Sequence, residues 1–408
     1  MISEQFRVYL IDENFLPLFQ LENYLLLDMT RRQNDSGALT IRLPVSYSKA
    51  LLNIGVLESL QAALSMPRFF IVVYHRLTGG GRWCLWEEGV FLIDQPARVL
   101  EENGNSFVQL EAIDQMTFLD YRSVFADETE QYATRNGLAD DVMHQVFNDH
   151  FGDAQGIDGR RNWIATGTVA DGLNGHCGYS PYEPRLGFKS TLLTIMREAA
   201  AASDANDLPI FFDLVPTLTP TALGVKASLP LVFNTYCGHR GKDKTVNNTV
   251  GNKPVILSTL NGTITSFTIG PDFRTDYSVA MATGSGTGVR PRSIRRDNTR
   301  IDSSPRWGWK ESLTVDREAA DQQATDAAAD EYLAAGKSRG QFIVEVGDSL
   351  AAKYGMDDCG GDYRMGDCVT VCDDKTAINA RIVSINVRIS EFKISKRVKL
   401  EITDEQPT

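Results

Sequence analysis

The sequence lacks the features that would tie it to a membrane, an oxidising compartment or a tightly held polyanion. No apolar run among its 408 residues approaches the roughly 18–20 that a membrane-spanning helix needs. The opening Met1-Ile-Ser-Glu-Gln-Phe-Arg7 has no basic stretch followed by an apolar core, so no secretory signal is expected. Cysteine is sparse. Cys84, Cys177, Cys237, Cys359, Cys368 and Cys372 are scattered, which predicts reduced thiols of a chain folded inside a cell. Positive charge is also short: 41 Lys and Arg stand against 53 Asp and Glu, for a net charge of −12. Sequence-independent nucleic-acid binding neutralises many phosphates at once, so tight binding of that kind is not expected. Short-period repeats and low-complexity tracts are missing too.

Catalytic and ligand motifs are equally thin. Gly284-Ser-Gly-Thr-Gly288 follows a strand pattern, but Pro291 in the arginine-rich sequence beyond it does not open the helix a dinucleotide site requires. Gly241-Lys242-Asp243 lacks the Ser or Thr and the glycine spacing of a phosphate loop. His144 and His150 fall about 240° apart around a helix, off any shared face. His176-Cys177 and Cys237-Gly238-His239 lack zinc-ligand spacing. Cys368 and Cys372 share one strand face about 13 Å apart, too far to bridge, and read as small buried hydrophobes. There is no Gly-x-Ser-x-Gly elbow. A glycosidase carboxylate pair can be drawn by chance from 53 acidic residues, so acidity alone does not argue for one. Arg290, Arg292, Arg295, Arg296 and Arg300 form the one locally basic stretch, expected to be a solvated or intersubunit loop without interleaved aromatics. Trp83 and Trp86 flank a hairpin and suit either a core or an exposed host-binding loop. The expectation is no catalytic, cofactor-binding or metal-ligating residue, and no cofactor.

What is present is alternation. Hydrophobic residues make up 42% and charged residues 23%, values of a folded globular chain, and the length suits about two to four domains. Period-two patterns predict strands at residues 6–11, 24–29, 37–44, 69–74, 89–93, 99–101 and 107–112, with a helical cap at 114–121. Residues 1–122 thus read as an antiparallel barrel or tightly curled sheet. Residues 123–255 read as an α+β domain. One helix carries Leu138, Val142, Met143, Val146 and Phe147 on a single face, capped by Asn136 and ended by Gly152; a second starts near Ser190, and strands follow at 210–215 and 229–236. Residues 256–408 return to strands at 256–260, 262–269, 277–283, 341–346, 365–372, 380–389 and 396–402, with a helix over 316–335 started by Asp316 and ended by Gly336. The fold class expected is α+β and β-rich, with two antiparallel β-barrel domains bracketing a mixed insertion.

Several stretches in order resemble the tail hub, or baseplate hub, proteins of long-tailed bacteriophages of the siphovirus type. They are Asp35-Ser-Gly-Ala-Leu-Thr-Ile-Arg-Leu-Pro44, Glu88-Gly-Val-Phe-Leu-Ile93, Asp120-Tyr-Arg122, Leu192-Leu-Thr-Ile-Met-Arg197 and the run from Tyr277 to Gly288. Trp309-Lys-Glu-Ser312, the helix to Leu333, Asp362-Tyr-Arg-Met-Gly-Asp-Cys-Val-Thr-Val371 and Ala380-Arg-Ile-Val-Ser-Ile385 complete the set. The resemblance implies tail-tube-like barrels, a homotrimer forming a pseudo-sixfold ring, and DNA passing through its lumen. It also implies partners in the distal tail protein ring, the tail tube, tail fibre or tip proteins and the tape measure protein, in a virion tail assembled in the host bacterial cytoplasm. The chain ends at Thr408 soon after its last strand, which favours a hub without a lytic extension. The alternatives are a tail-associated glycosidase or peptidase, and a host-surface binding module.

Overall fold

A computed structural model describes residues 4–12, 15–53, 69–77, 82–100, 106–124, 133–134, 137–151, 164–167, 178, 185–186, 191–206, 208–216, 231–269, 277–284, 292–303, 308–315, 322, 325–326, 329–330, 333, 341–347, 352–355, 359–372, 377–390 and 393–403. The N-terminal part forms β1 (Glu4–Ile11), β2 (Pro17–Leu21), β3 (Leu26–Arg32), β4 (Asp35–Pro44), α1 (Tyr47–Asn53), β5 (Phe70–Leu77), β6 (Cys84–Leu100), β7 (Ser106–Asp114) and α2 (Thr117–Asp120). The middle part contributes β8 (Ala133–Thr134), α3 (Ala139–Phe151), β9 (Ile164–Thr166), β10 (Arg185–Leu186), α4 (Leu192–Ala205), β11 (Ile210–Pro216), β12 (Leu231–Cys237) and β13 (Asp243–Lys244). After these come β14 (Ile256–Ser258), β15 (Ile264–Ile269), β16 (Val279–Thr283), β17 (Arg292–Arg296), α5 (Asn298–Ser303) and β18 (Glu311–Val315). The chain closes with β19 (Gln341–Val346), β20 (Cys368–Cys372), β21 (Ala377–Ser390) and β22 (Lys393–Ile402).

The β-rich expectation holds, and the alternation that predicted β4 is realised: Leu39, Ile41 and Leu43 are buried while the residues between them are not. Closure into barrels does not occur among the described residues. One 14-stranded sheet runs β15-β19-β22-β21-β3-β4-β7-β6-β5-β1-β2, with β13, β14 and β20 attached beside β21. The two β blocks meet where β21 pairs antiparallel with β3, from Ser384↔Arg32 to Ser390↔Leu26. The sheet curls: Lys396 on β22 reaches Glu4 on β1, seven steps away along the strand order.

Curling gives the sheet two buried faces. Along β5, Ile71 and Val73 enter a core shared with Val8, Ile385 and Leu400. Phe70, Val72 and Tyr74 enter a second core with α3, α4, β11 and β12. The predicted helices are found: Val142, Met143, Val146 and Phe147 on α3 are fully buried, and α4 is capped by Thr191, whose hydroxyl accepts from Thr194 N–H at 3.3 Å. Asn136 and Gly152, the expected caps of α3, lie outside the described residues, as do Ser190, Asp316 and Gly336; within 316–335, Gln322, Thr325, Asp326, Ala329, Asp330 and Leu333 are helical.

The thiol expectation is corrected at Cys84 and Cys359. They form a disulfide with Cα atoms 6.2 Å apart, although 275 residues separate them. Cys237 is disulfide-bonded as well. Among the described residues Cys368 and Cys372 form no disulfide, as expected of strand residues that far apart. Curling brings the first pair together, and spacing along the chain gives no sign of it.

Candidate functional site

Between the curled sheet and the middle part lies a buried set of charges drawn from all three stretches of chain. Arg31 on β3 is fully buried; its Nη1 lies 2.5 Å from Asp114 Oδ2, at the end of β7, and its Nη2 3.4 Å from Asp213 Oδ1 on β11. Arg240, just beyond β12, continues the chain of charges, with Nη1 2.9 Å from Asp213 Oδ2 and Nη2 3.2 Å from Glu88 Oε2. Tyr354 donates its hydroxyl to Glu87 Oε1. Asp114 also accepts the Gly37 N–H at 2.6 Å. Gln115 accepts from Val90 N–H at 2.8 Å and donates to the carbonyls of Glu88 and Leu214 at 2.9 and 3.0 Å.

Local backbone makes this possible. Glu87 and Glu88 have φ of 45° and 54° inside β6, and the β5–β6 register breaks between Val72 and Tyr74. A left-handed pair of glutamates costs energy and persists where surrounding contacts determine it, here Tyr354, Arg240 and Gln115. Gly37 lies against the backbone of β3, where a Cβ would stand 2.1 Å from the Thr30 carbonyl oxygen, so only glycine fits beside Asp114.

Electrostatically the set is a lock. Burial works against a charged Arg31, but Asp114 and Asp213 outweigh it and hold the guanidinium protonated. The same balance holds Arg240, with Asp213 foremost among its carboxylates. Burial raises the Asp114 carboxyl above its ordinary 3.8 despite Arg31, and burial with Glu87 pushes the Tyr354 phenol well up, so it remains a donor. A raised carboxyl beside a second one is what glycoside cleavage uses. Asp114 and Asp213, however, are 0% and 4% exposed and share Arg31, so the pair is engaged from within and shielded from a sugar.

Two further buried ion clusters tie the same parts. Glu4 contacts His75 on β5 and Lys396 on β22, each at 2.6 Å, with all three side chains at most 3% exposed. Asp367 holds Lys244 Nζ at 3.1 Å and accepts Lys242 N–H at 2.7 Å.

The residues weighed in the sequence take other places. His144 contacts Thr235 Oγ1 at 3.0 Å and His150 the Val146 carbonyl at 2.8 Å, both buried. Among the described residues no cluster of three metal-ligating side chains occurs. His176, Cys177 and residues 285–291, including Arg290, lie outside the described residues. Gly241 packs on Gly366 and Asp367 as a backbone contact. Trp86 is buried and stacked on Phe91, while Trp83 lies under Arg7 and Arg76. The arginine loop is corrected: Arg292, Arg295 and Arg296 are on strand β17, and Arg300 is in α5. Aromatics do interleave, with Arg296 over Trp309 and Lys310 over Tyr277. The buried network itself was missed, since its members are isolated charges in separate apolar strands. The only signal was a charge inside an otherwise buried pattern, such as Arg31 or Asp213.

The fold is similar to that of phage tail proteins. It is similar to the 43 kDa tail protein of prophage MuSo2 from Shewanella oneidensis, at a TM-score of 0.52 and 12% identity, covering 98% of each chain. It is equally similar to the tail protein from Neisseria meningitidis MC58, at 0.52 and 12%, covering 98% of this chain and 97% of that one. No curated protein matches the sequence. The family model described as Siphovirus ReqiPepy6 Gp37-like protein matches residues 6–402, and the chain belongs to that family.

Proposed function

We propose that the chain is the tail hub: a homotrimer that closes the distal end of the tail tube and attaches tail tip or fibre proteins, with DNA passing through its lumen. The observation that carries this reading is the single curled sheet spanning residues 4–402, pinned across its width by buried ion pairs. A subunit that conducts DNA and bears load gains from rigidity and needs no reactive group. Its acidic balance suits a conduit that must not hold its cargo. In the trimer, each chain's two β blocks (residues 1–122 and 256–408) act as tube-like halves of a pseudo-sixfold ring, with 123–255 as the insertion between them. The distal tail protein ring, the tail tube and the tape measure protein are the neighbours this arrangement meets, assembled in the host cytoplasm.

The role is non-enzymatic, with no catalytic or metal-binding residue and no cofactor. Light scattering on the full chain tests the assembly: a trimer burying more than roughly 2,000 Å² per interface should persist on dilution, and a stable single chain would sink the reading. Lysis of cell-wall substrate in a zymogram would instead favour a tail-associated hydrolase.

A further inference from the structure

In the three-stranded sheet β17-β16-β18, the edge strand β17 has one covered side and one exposed side. Alternate residues of β17 divide between them. Ser293 is buried, and Arg295 on the same side is neutralised by Asp330 and Asp326 at 2.6 and 3.4 Å. Arg292, Ile294 and Arg296 are exposed on the other side. The Arg296 guanidinium stands 5.0 Å from the ring centre of Trp309, whose indole N–H donates to Glu311 Oε1 at 2.5 Å. Ile294 is 51% and Trp309 48% exposed, and among the described residues neither Arg292 nor Arg296 has a carboxylate in ion-pair range.

An aromatic and an aliphatic anchor flanked by uncompensated arginines is the composition found at the centre of protein contacts, where Trp and Arg dominate the binding energy. We propose that this face is the contact through which one copy of the chain docks on a second copy, with Ile294 and Trp309 as anchors and Arg292 and Arg296 meeting carboxylates of the neighbour. The charge balance names the occupant. A copy carrying 53 acidic against 41 basic residues presents an acidic surface, and this cationic face complements it. Glu311, beside Trp309, opposes a phosphate backbone on the same platform. A patch meeting a different surface of its neighbour is heterologous, the kind of contact that closes a ring. The inference rests on the trimer reading above.

The test is the mass of the full chain in solution. The wild type should be an oligomer, and the Arg292→Glu, Arg296→Glu double variant should fall toward the single-chain 45.2 kDa, self-association weakening about tenfold or more. Arg292→Lys with Arg296→Lys should keep most of the assembly. Raising salt on the wild type to about 1 M, where screening reaches about 3 Å, should weaken it without any substitution. Charge-reversed and Ile294→Asp variants that both keep the wild-type mass would overturn the assignment of this face. So would an unchanged mass accompanied by lost binding of a labelled DNA oligonucleotide, which would make the face a polyanion site. A wild type that is itself a single chain fails the trimer reading, a different result from either.

Discussion

Glu4, His75 and Lys396 come from strands β1, β5 and β22, and their charges are buried together where the sheet curls over itself. Burial disfavours an ionised Glu4, but contact with His75 and the Lys396 ammonium outweighs it and holds the carboxyl below its ordinary 4.5. A depressed acid contributes stability above its unfolded value and loses it as pH falls through the folded one. Glu4→Gln strands a buried lysine and should cost about 3–5 kcal/mol at neutral pH. In denaturant titrations the gap between wild type and variant should narrow below pH 4.5. A gap unchanged at low pH would mean that packing, not charge, holds the site. Arg31→Met has the opposite dependence. It removes the cation that restrains Asp114, whose carboxyl burial already raises, so the variant should lose stability as pH rises. A variant whose stability rises with pH would show that Arg31 is not the group restraining Asp114.

At the scale of elements, the Cys84–Cys359 bond joins the start of β6 to the segment carrying Tyr354 and Tyr363, which pair with each other. That segment supplies Tyr354 to Glu87, and Gly355 lies close enough to His75 that a Cβ would stand 3.0 Å from the ring. Crosslinking points so distant in the chain restricts the unfolded state strongly, so Cys359→Ser should lower stability by about 2–4 kcal/mol. Added reductant should lower the melting temperature of the wild type by more than that of the variant, in which the disulfide at Cys237 remains to be reduced. An equal response in both would assign the effect elsewhere. Thr191, which caps α4 and donates its hydroxyl to Asp120 at 2.8 Å, is a smaller instance. Thr191→Ala should cost about 0.5–2 kcal/mol by calorimetry.

For the whole molecule, the β21–β3 seam makes the two ends of the chain one cooperative sheet. Residues 1–122 alone would leave β3 with an unpaired edge and half its core missing, so that fragment should aggregate or remain unfolded. A fragment with dispersed amide resonances and native-like protection would show that the seam is not needed for folding.

Strand and helix positions were legible because alternation and the 3.6-residue period are local. Leu39, Ile41 and Leu43 mark β4 wherever it ends up, and the α3 face from Val142 to Phe147 is apolar in any context. The strands expected at 99–101 and 107–112 pair with each other, Val99 facing Phe107. Short or charged elements escaped: β2 is one alternation too brief, and β17 is mostly arginine and draws its stability from β16 and the Asp326 and Asp330 carboxylates. The sequence by itself determined a β-rich, acidic chain with no apolar helix long enough for a membrane. Only the tertiary structure decided that the two β blocks join in one curled sheet, that Arg31 meets Asp213, and that Cys84 meets Cys359. Pairing between distant strands depends on register and curl summed over many residues, and no local pattern encodes it.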